Sequence, residues 1–354
     1  MTGVRARGQN VRSYILENVA QHPKDIAKRT ANHFHITRQA VGKHLRRLVA
    51  ETALTQSGET RDRAYRLATI SEWQKSFVLV SGLAEDIVWR DHIAPVLGAM
   101  PDNVLNIWHY GFSEMFNNAI DHSGGTGIYV TVRKTAISTT MVIGDDGVGI
   151  FRKIQATLNL HDERHAVFEL AKGKLTTDPA RHSGEGIFFT SRVFDDFSII
   201  SSDVHFDHKF GSREDWIVET TKTTPGTTVW MEISNNTSRT LRKVFDKFST
   251  GDEYGFNKTI VPVRLARYGN ENLISRSQAK RLLARVELFK TVLFDFTGVP
   301  TIGQAFADEI FRVFQLQHPN IELVPMHANS EIKRMIERAR SNDTASLSSL
   351  LKTR

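Results

Sequence analysis

The sequence predicts a multidomain α+β protein of three units in series, and three observations lead there. Apolar residues recur at helical spacing in three short runs before residue 50, followed by a short hairpin pattern. A long apolar helical stripe at 103–122 then opens a succession of strand-like runs. From residue 259 onward the pattern changes to alternation of strand and helix. With 354 residues, 40% of them hydrophobic, the chain can fill two or three cores. It has no cysteine, which excludes disulfides and thiolate metal sites and fits a cytoplasmic setting. No apolar run is long enough to span a bilayer, and the N-terminus lacks the apolar centre of a signal peptide. A cytoplasmic protein with no membrane partner is therefore expected.

The net charge of +7 is unevenly placed. Residues 1–70 carry 13 Lys+Arg against 5 Asp+Glu, a net of +8, and the rest of the chain sums to −1. Such a concentrated basic segment points to nucleic acid, because Lys and Arg displace counterions from phosphates. Within it, Val11, Ile15 and Val19 mark a helix over 9–20 that Pro23 ends. Asp25 can open a second helix with Ile26, Ala27 and Ala31 inward, and Thr37 can cap a third with Val41, Leu45 and Leu48 inward. Leu54, a Ser57-Gly58 turn, Arg61, Arg63 and Arg66, and then Tyr65 with Leu67 read as strand, loop, strand. Three short helices and a basic hairpin spell a winged helix-turn-helix, a reader of DNA. Its candidate contacts are Arg38, Gln39, Lys43, Arg46 and Arg47 on the third helix, with Arg61 and Arg63 in the hairpin. The competing reading of that helix face is a solvated surface, and some winged helices bind protein.

Residues 71–100, interrupted by Pro95 and followed by Pro101, read as a connector into a middle domain at 101–240. There Val104, Trp108, Phe112, Met115 and Ala119 form the apolar stripe of a helix over 103–122. Glu114, Asn118 and His122, spaced by four, share a different face. Strands are expected at 127–133, 139–143, 196–201, 215–220 and 227–233. The polar stretch 151–183 reads as a loop with a short helix near Val167–Ala171. The C-terminal unit, 255–340, should hold strands at 259–266, 291–296 and 321–324 and helices at 275–289, 303–314 and 330–340. A frayed, Ser-rich tail is expected at 341–354.

Four segments of the middle domain bear the chemistry: Glu114 to Asn118, Asp145-Asp-Gly-Val-Gly149, Ser183-Gly-Glu-Gly186 and Gly226-Thr-Thr228. None is specific alone, since an Asp-x-Gly-x-Gly is most often a turn after a strand. Their order and spacing together point to ATP. There is no Gly-x-x-x-x-Gly-Lys-Ser/Thr, so a Walker-type phosphate loop is excluded. A carboxylate can instead read adenine by accepting from its exocyclic amine, and Asp145 suits this if it ends a strand. Gly147 and Gly149 would let the backbone approach the base. The amide oxygen of Asn118 suits a magnesium ion, which takes oxygen ligands. Glu114, one turn earlier, could orient or deprotonate a water or another hydroxyl beside the γ-phosphate. Ser183, Gly184 and Gly186 precede a helix-compatible run whose first N–H groups can hold phosphate. Lys172, Lys174, Arg181 and His182 lie just upstream as candidates to close over the phosphates. The histidines show no paired spacing with a glutamate, so zinc is not expected.

Over roughly residues 100–235 these segments resemble the GHKL superfamily of gyrase-type topoisomerases, Hsp90 chaperones, histidine kinases and mismatch-repair ATPases. The resemblance implies an α/β sandwich with helices on one side of a mixed sheet. It implies Glu114 as the catalytic carboxylate, Asn118 as the magnesium ligand and Asp145 as the adenine-binding acid. Gly147 and Gly149 would form its loop, Gly184 and Gly186 the lid, and Thr228 the threonine beside the base. The run Glu-x-x-x-Asn-Ala-x-x-His is most similar to the anti-sigma-factor serine kinases. The segment Leu293 to Ala305 resembles a STAS domain, in particular the STAS-like domain DUF4325. STAS antagonists carry a phosphorylated serine where this chain has Gly303-Gln304-Ala305, so the resemblance does not extend to that switch.

The expected role is an ATP-responsive, DNA-binding transcriptional regulator in which Mg-ATP orders residues 151–186 and changes contacts with the C-terminal domain or a second chain. A slow ATPase activity is compatible with it. One alternative is an anti-sigma-type protein serine/threonine kinase acting on a separate partner, since Gln304 cannot accept phosphate. Another is a non-catalytic scaffold in a defence or mobile-element cassette.

Overall fold

The computed structural model describes residues 2–175, 184–211, 216–249, 255–267 and 271–350. The chain is a mixed α/β multidomain protein with several sheets. Its head consists of α1 (Thr2–Asn18), α2 (Ile26–Phe34) and α3 (Arg38–Ala50), followed by the antiparallel pair β1 (Leu54–Ser57) and β2 (Ala64–Leu67). The predicted stripes meet in one small core of Val11, Ile15, Val19, Ile26, Val41, Leu45 and Leu48. Thr37 starts α3 as expected, its hydroxyl accepting from the N–H of Ala40 at 3.2 Å.

The next residues correct the expected connector. Ser71–Val78 is a strand, β3, running antiparallel to β4 (Gly127–Lys134) along its whole length. Residues 85–97 are helical in three short pieces, α4 (Glu85–Val88), a π turn (Trp89–Ile93) and α5 (Ala94–Leu97). Trp73 and Phe77 pack on the core while Glu72, Gln74 and Ser76 face out, the period of two expected of an edge strand.

The middle domain is a five-stranded sheet in the order β3-β4-β5-β7-β6, with β5 at Ser138–Asp145, β6 at Asp196–Lys209 and β7 at Trp216–Ser234. Every neighbouring pair is antiparallel, where the resemblance implied a mixed sheet. The runs expected at 215–220 and 227–233 are one strand, β7. One face is covered by helices. α6 (Asp102–His122) sits on it with Val104, Ile107, Trp108, Phe112, Met115, Phe116 and Ala119 buried. Gly111 lets it pass Phe194, whose ring would lie 2.5 Å from any Cβ there. The other face is open, with Tyr129 and Trp230 exposed. The polar stretch after Gly149 is not a loop through its described part. It folds as α7 (Ile150–Leu158) and α8 (Glu163–Lys172), and α9 (Gly186–Val193) follows.

After α10 (Leu241–Phe245), the C-terminal domain is a three-stranded parallel sheet, order β10-β9-β8, of Glu322–Met326, Thr291–Asp295 and Lys258–Pro262. The strand expected at 259–266 stops at Pro262 and tightens into a 3-10 turn. α11 (Arg276–Leu283) opens on a reciprocal Ser275–Gln278 capping box. It ends six residues before the predicted limit, because Arg285 adopts a left-handed conformation. α12 (Gln304–Asp308) runs through a π turn (Glu309–Phe314) into α13 (Gln315–Gln317). α14 (Ser330–Leu350) continues ten residues past the point where a frayed tail was expected.

The middle and C-terminal domains share one continuous core. Phe256, just before β8, lies 4.6 Å between ring centroids from Phe188 of α9 and 5.2 Å from Phe289 ahead of β9. The head keeps its own core. It joins the body where the Ile70 N–H donates to Lys134 O at 2.8 Å and Ala136, in the β4–β5 turn, packs against it. No helix among the described residues is long and apolar enough to cross a membrane.

Candidate functional site

A cavity of about 290 Å³ opens between the sheet and the helices of the middle domain. That volume lies at the lower end of small-molecule sites. α6 contributes Glu114, Asn118 and His122, one above another at a spacing of four. β5 contributes Asp145 at its last residue, and β7 contributes Thr227 and Val229. Gly149, Gly184 and Gly186 line it too, and Ile143, Ile154, Ile199 and Phe188 give it an apolar wall.

Asp145 is almost buried. Its Oδ1 accepts from the N–H of Gly147 at 2.9 Å and of Thr227 at 3.3 Å. Among the described residues Oδ2 has no such partner, and it is the oxygen left for a ligand. Burial raises the carboxyl above its ordinary pKa, and the two N–H groups offset that only in part. Asp146, next in sequence, does a different job. It is exposed, accepts from the hydroxyl and N–H of Thr126 and the N–H of Gly127, and is pushed down to about 2 by those bonds. One acid of the pair thus faces the cavity and the other fixes the loop beneath it.

The glycines are where the backbone comes too close for a side chain. Gly149, at φ +93°, turns β5 into α7, and a Cβ there would stand 2.6 Å from Ser201 Oγ. At Gly147 a Cβ would meet the Ser123 carbonyl at 2.1 Å. Gly186 lies against the carboxylate of Glu114, with Oε2 only 1.9 Å from the position of a Cβ. The start of α9 and the acid of α6 therefore converge on the cavity that Asp145 enters from the end of β5.

Several expected residues stand elsewhere. Thr228 is turned away from the cavity to the open sheet face, where its hydroxyl meets that of Tyr129 at 2.8 Å. Strand parity gives the inward place to Thr227, whose Oγ1 accepts from the Ile150 N–H at 2.9 Å and ties α7 to β7. Lys172 does not reach the cavity. It is 1% exposed and is held in the seam with the C-terminal domain. There Nζ donates to Glu169 Oε1 at 2.7 Å, Ala284 O at 2.7 Å and Arg281 O at 3.3 Å. Burial drives its ammonium below the usual lysine range, more than Glu169 restores it. Lys174 donates to Leu288 O at 2.9 Å and lies over the Phe289 ring. Lys172 at the end of α8 and Lys174 just beyond it anchor this stretch on the C-terminal domain, together with Arg285, which bonds Glu169 and the Lys174 carbonyl. Arg181, His182 and Ser183 lie outside the described residues.

Lysine side chains before a glycine-rich turn look alike in sequence whether they meet phosphate or a neighbouring domain, so nothing local could separate the two. Sequence reasoning also passed over Lys153, whose signal was its place one helical turn after Gly149. Lys153 lines the cavity and donates to His122 O at 2.7 Å.

In the head, Arg38, Gln39, Lys43 and Arg46 are exposed on α3. Arg47 is exposed but pairs with Glu51 at 2.7 Å. Arg63 is exposed beside β2, and the side chain of Arg61 lies outside the described residues. Burial first, then the charges of Arg12 and Arg47, lower the pKa of His44. No group of three or more His, Asp or Glu that could hold a metal occurs among the described residues.

Gln304 begins α12 with its side-chain amide atoms buried and, among the described residues, without hydrogen-bond partners. Residues 278–333, from α11 to the first turn of α14, match the family model of a STAS-like domain of unknown function (DUF4325). The match covers the C-terminal domain alone. A comparison with curated proteins finds none that matches.

Proposed function

We propose that the chain is an ATP-binding, DNA-binding transcriptional regulator, with a GHKL-type nucleotide site in the middle domain and a winged helix-turn-helix as its head. One observation carries the reading: Glu114, Asn118, Asp145, Gly149, Gly184 and Gly186, far apart in sequence, line a single cavity. The donor set fits the ligand. Asp145 Oδ2 offers a buried acceptor to an exocyclic amine, the apolar wall suits a flat ring, and Asn118 Oδ1 suits a hard cation. Bound Mg-ATP would supply a γ-phosphoryl group and neutralise its charge. Glu114 would orient a water or partner hydroxyl and take its proton on a carboxylate oxygen. The exposed basic face of α3 and the head's charge of +8 support DNA as the head's partner.

α8 suggests how the site would be heard. Leu170, and Leu175 just beyond, line the cavity, while Glu169 and Lys172 of the same helix enter the seam with the STAS-like domain. A nucleotide that moved this wall would bias the seam through its differential affinity for the two arrangements. The test is DNA affinity with and without Mg-ATP, in wild type and Asn118→Ala, beside calorimetric titration of the nucleotide. Wild-type affinity should change with Mg-ATP and the variant's should not. Identical affinities in all four conditions would remove the coupling, and absence of nucleotide heat would remove the site.

A further inference from the structure

We propose that Lys153 is a phosphate-binding residue of the central cavity, a cation that the sequence reading, which offered Lys172, Lys174, Arg181 and His182, did not name. The proposal rests on the nucleotide reading above and names a contact that this reading lacks. A nucleoside polyphosphate carries more negative charge than one divalent ion removes, so a site that holds it in a partly buried cavity needs a protein cation as well. Lys172 and Lys174 are committed to carbonyls of the C-terminal domain. Among the described residues that line the cavity, Lys153 is the sole Lys or Arg.

Its placement is fixed by local structure. Gly149 turns the chain so that α7 begins at the cavity rim, and the Lys153 N–H closes the first turn onto Gly149 O at 3.0 Å. The Ile150 N–H is held by Thr227 at 2.9 Å, which pins that turn to β7. The half-buried side chain then crosses to the last turn of α6, where Nζ donates to His122 O at 2.7 Å. His122 stands one helical turn beyond Asn118, on the face that also bears Glu114. The ammonium therefore lines the same cavity as Asn118 and Glu114, held at the last turn of α6, with one of its three donors used and two left for anionic oxygens. The plainer role is a cap: a cation at a helix C-terminus favours the helix dipole. A cap would stabilise the fold alike for every ligand, whereas a phosphate contact discriminates by phosphate.

The experiment is calorimetric titration of the full chain with adenosine, ADP and ATP, with magnesium, in wild type, Lys153→Met and Lys153→Arg, with thermal melts to verify folding. Lys153→Met should weaken ATP by about tenfold or more and ADP by less, leaving adenosine within about twofold. Lys153→Arg should recover most of the ATP affinity. Equal weakening of adenosine and ATP, or no weakening of either, would overturn the assignment while leaving the nucleotide site in place. Absence of ATP binding by the wild type would overturn the nucleotide reading and this contact together.

Discussion

The head and the C-terminal domain are attached to the same middle domain in opposite ways. The head has a core of its own and meets the body at Ile70, Lys134 and Ala136. The C-terminal domain has no separate core. Its Phe256 and Phe289 continue the aromatic cluster of α9, and its carbonyls at Arg281, Ala284 and Leu288 hold Lys172 of α8 and Lys174 just after it. Sequence position alone suggests three beads on a string. The packing makes two bodies, with the middle and C-terminal domains acting as one.

Truncation breaks this comparison most severely. A chain lacking residues 1–69 should keep one cooperative melt close to that of the full body, because β3 and its core contacts remain. A chain ending at residue 249 should lose cooperative unfolding, because Phe188, Phe189 and Phe248 would face water. Calorimetric or circular-dichroism melts of the two distinguish them, and equal stability of both would sink the two-body view. Next in size is Lys172→Ala, which leaves Glu169 buried without its main partner and should cost about 3–5 kcal/mol in urea unfolding. An exposed ion pair would cost far less, so a small effect would mean that the seam opens in solution.

Asp145→Asn sharpens the comparison in the other direction, at the cavity end of the body. The folded-state pKa of Asp145 is raised, so its contribution to stability is fully present below the ordinary 3.8 and is lost as pH rises through the folded value. At pH 7 the buried charge is a liability. The asparagine should therefore melt higher than wild type at pH 7, with the difference vanishing below about pH 4. If the cavity holds a nucleotide as proposed, its affinity should fall at least tenfold, because an amide N–H would replace the acceptor. Lys43→Ala and Arg46→Ala in the head should leave body stability within about 0.5 kcal/mol. Each should lower the salt slope of DNA binding by about 1 if it contacts a phosphate.

What could be read from the sequence was whatever obeys a short-range period or a tight backbone constraint. α6 followed from the recurrence of Val104, Trp108, Phe112 and Met115, and the glycines at 147 and 149 stand where a Cβ would strike the Ser123 carbonyl or demand a left-handed backbone. What could not be read depended on distant partners. β3 looked like a connector because an edge strand buries only Trp73 and Phe77, and Lys75 interrupts its inward side. α8 looked like a polar loop because its Glu and Lys are buried against a domain more than a hundred residues away. The choice between Thr227 and Thr228 turned on strand register, which adjacent identical residues cannot reveal.

The seam built on Lys172 has a consequence for how such a protein can change over evolutionary time. Exchange of a whole head at residue 70 would sever few contacts and could install a new address on an unchanged engine. Exchange near residue 250 would separate an ammonium from the carbonyls that solvate it, so the last two modules are expected to be inherited as a pair.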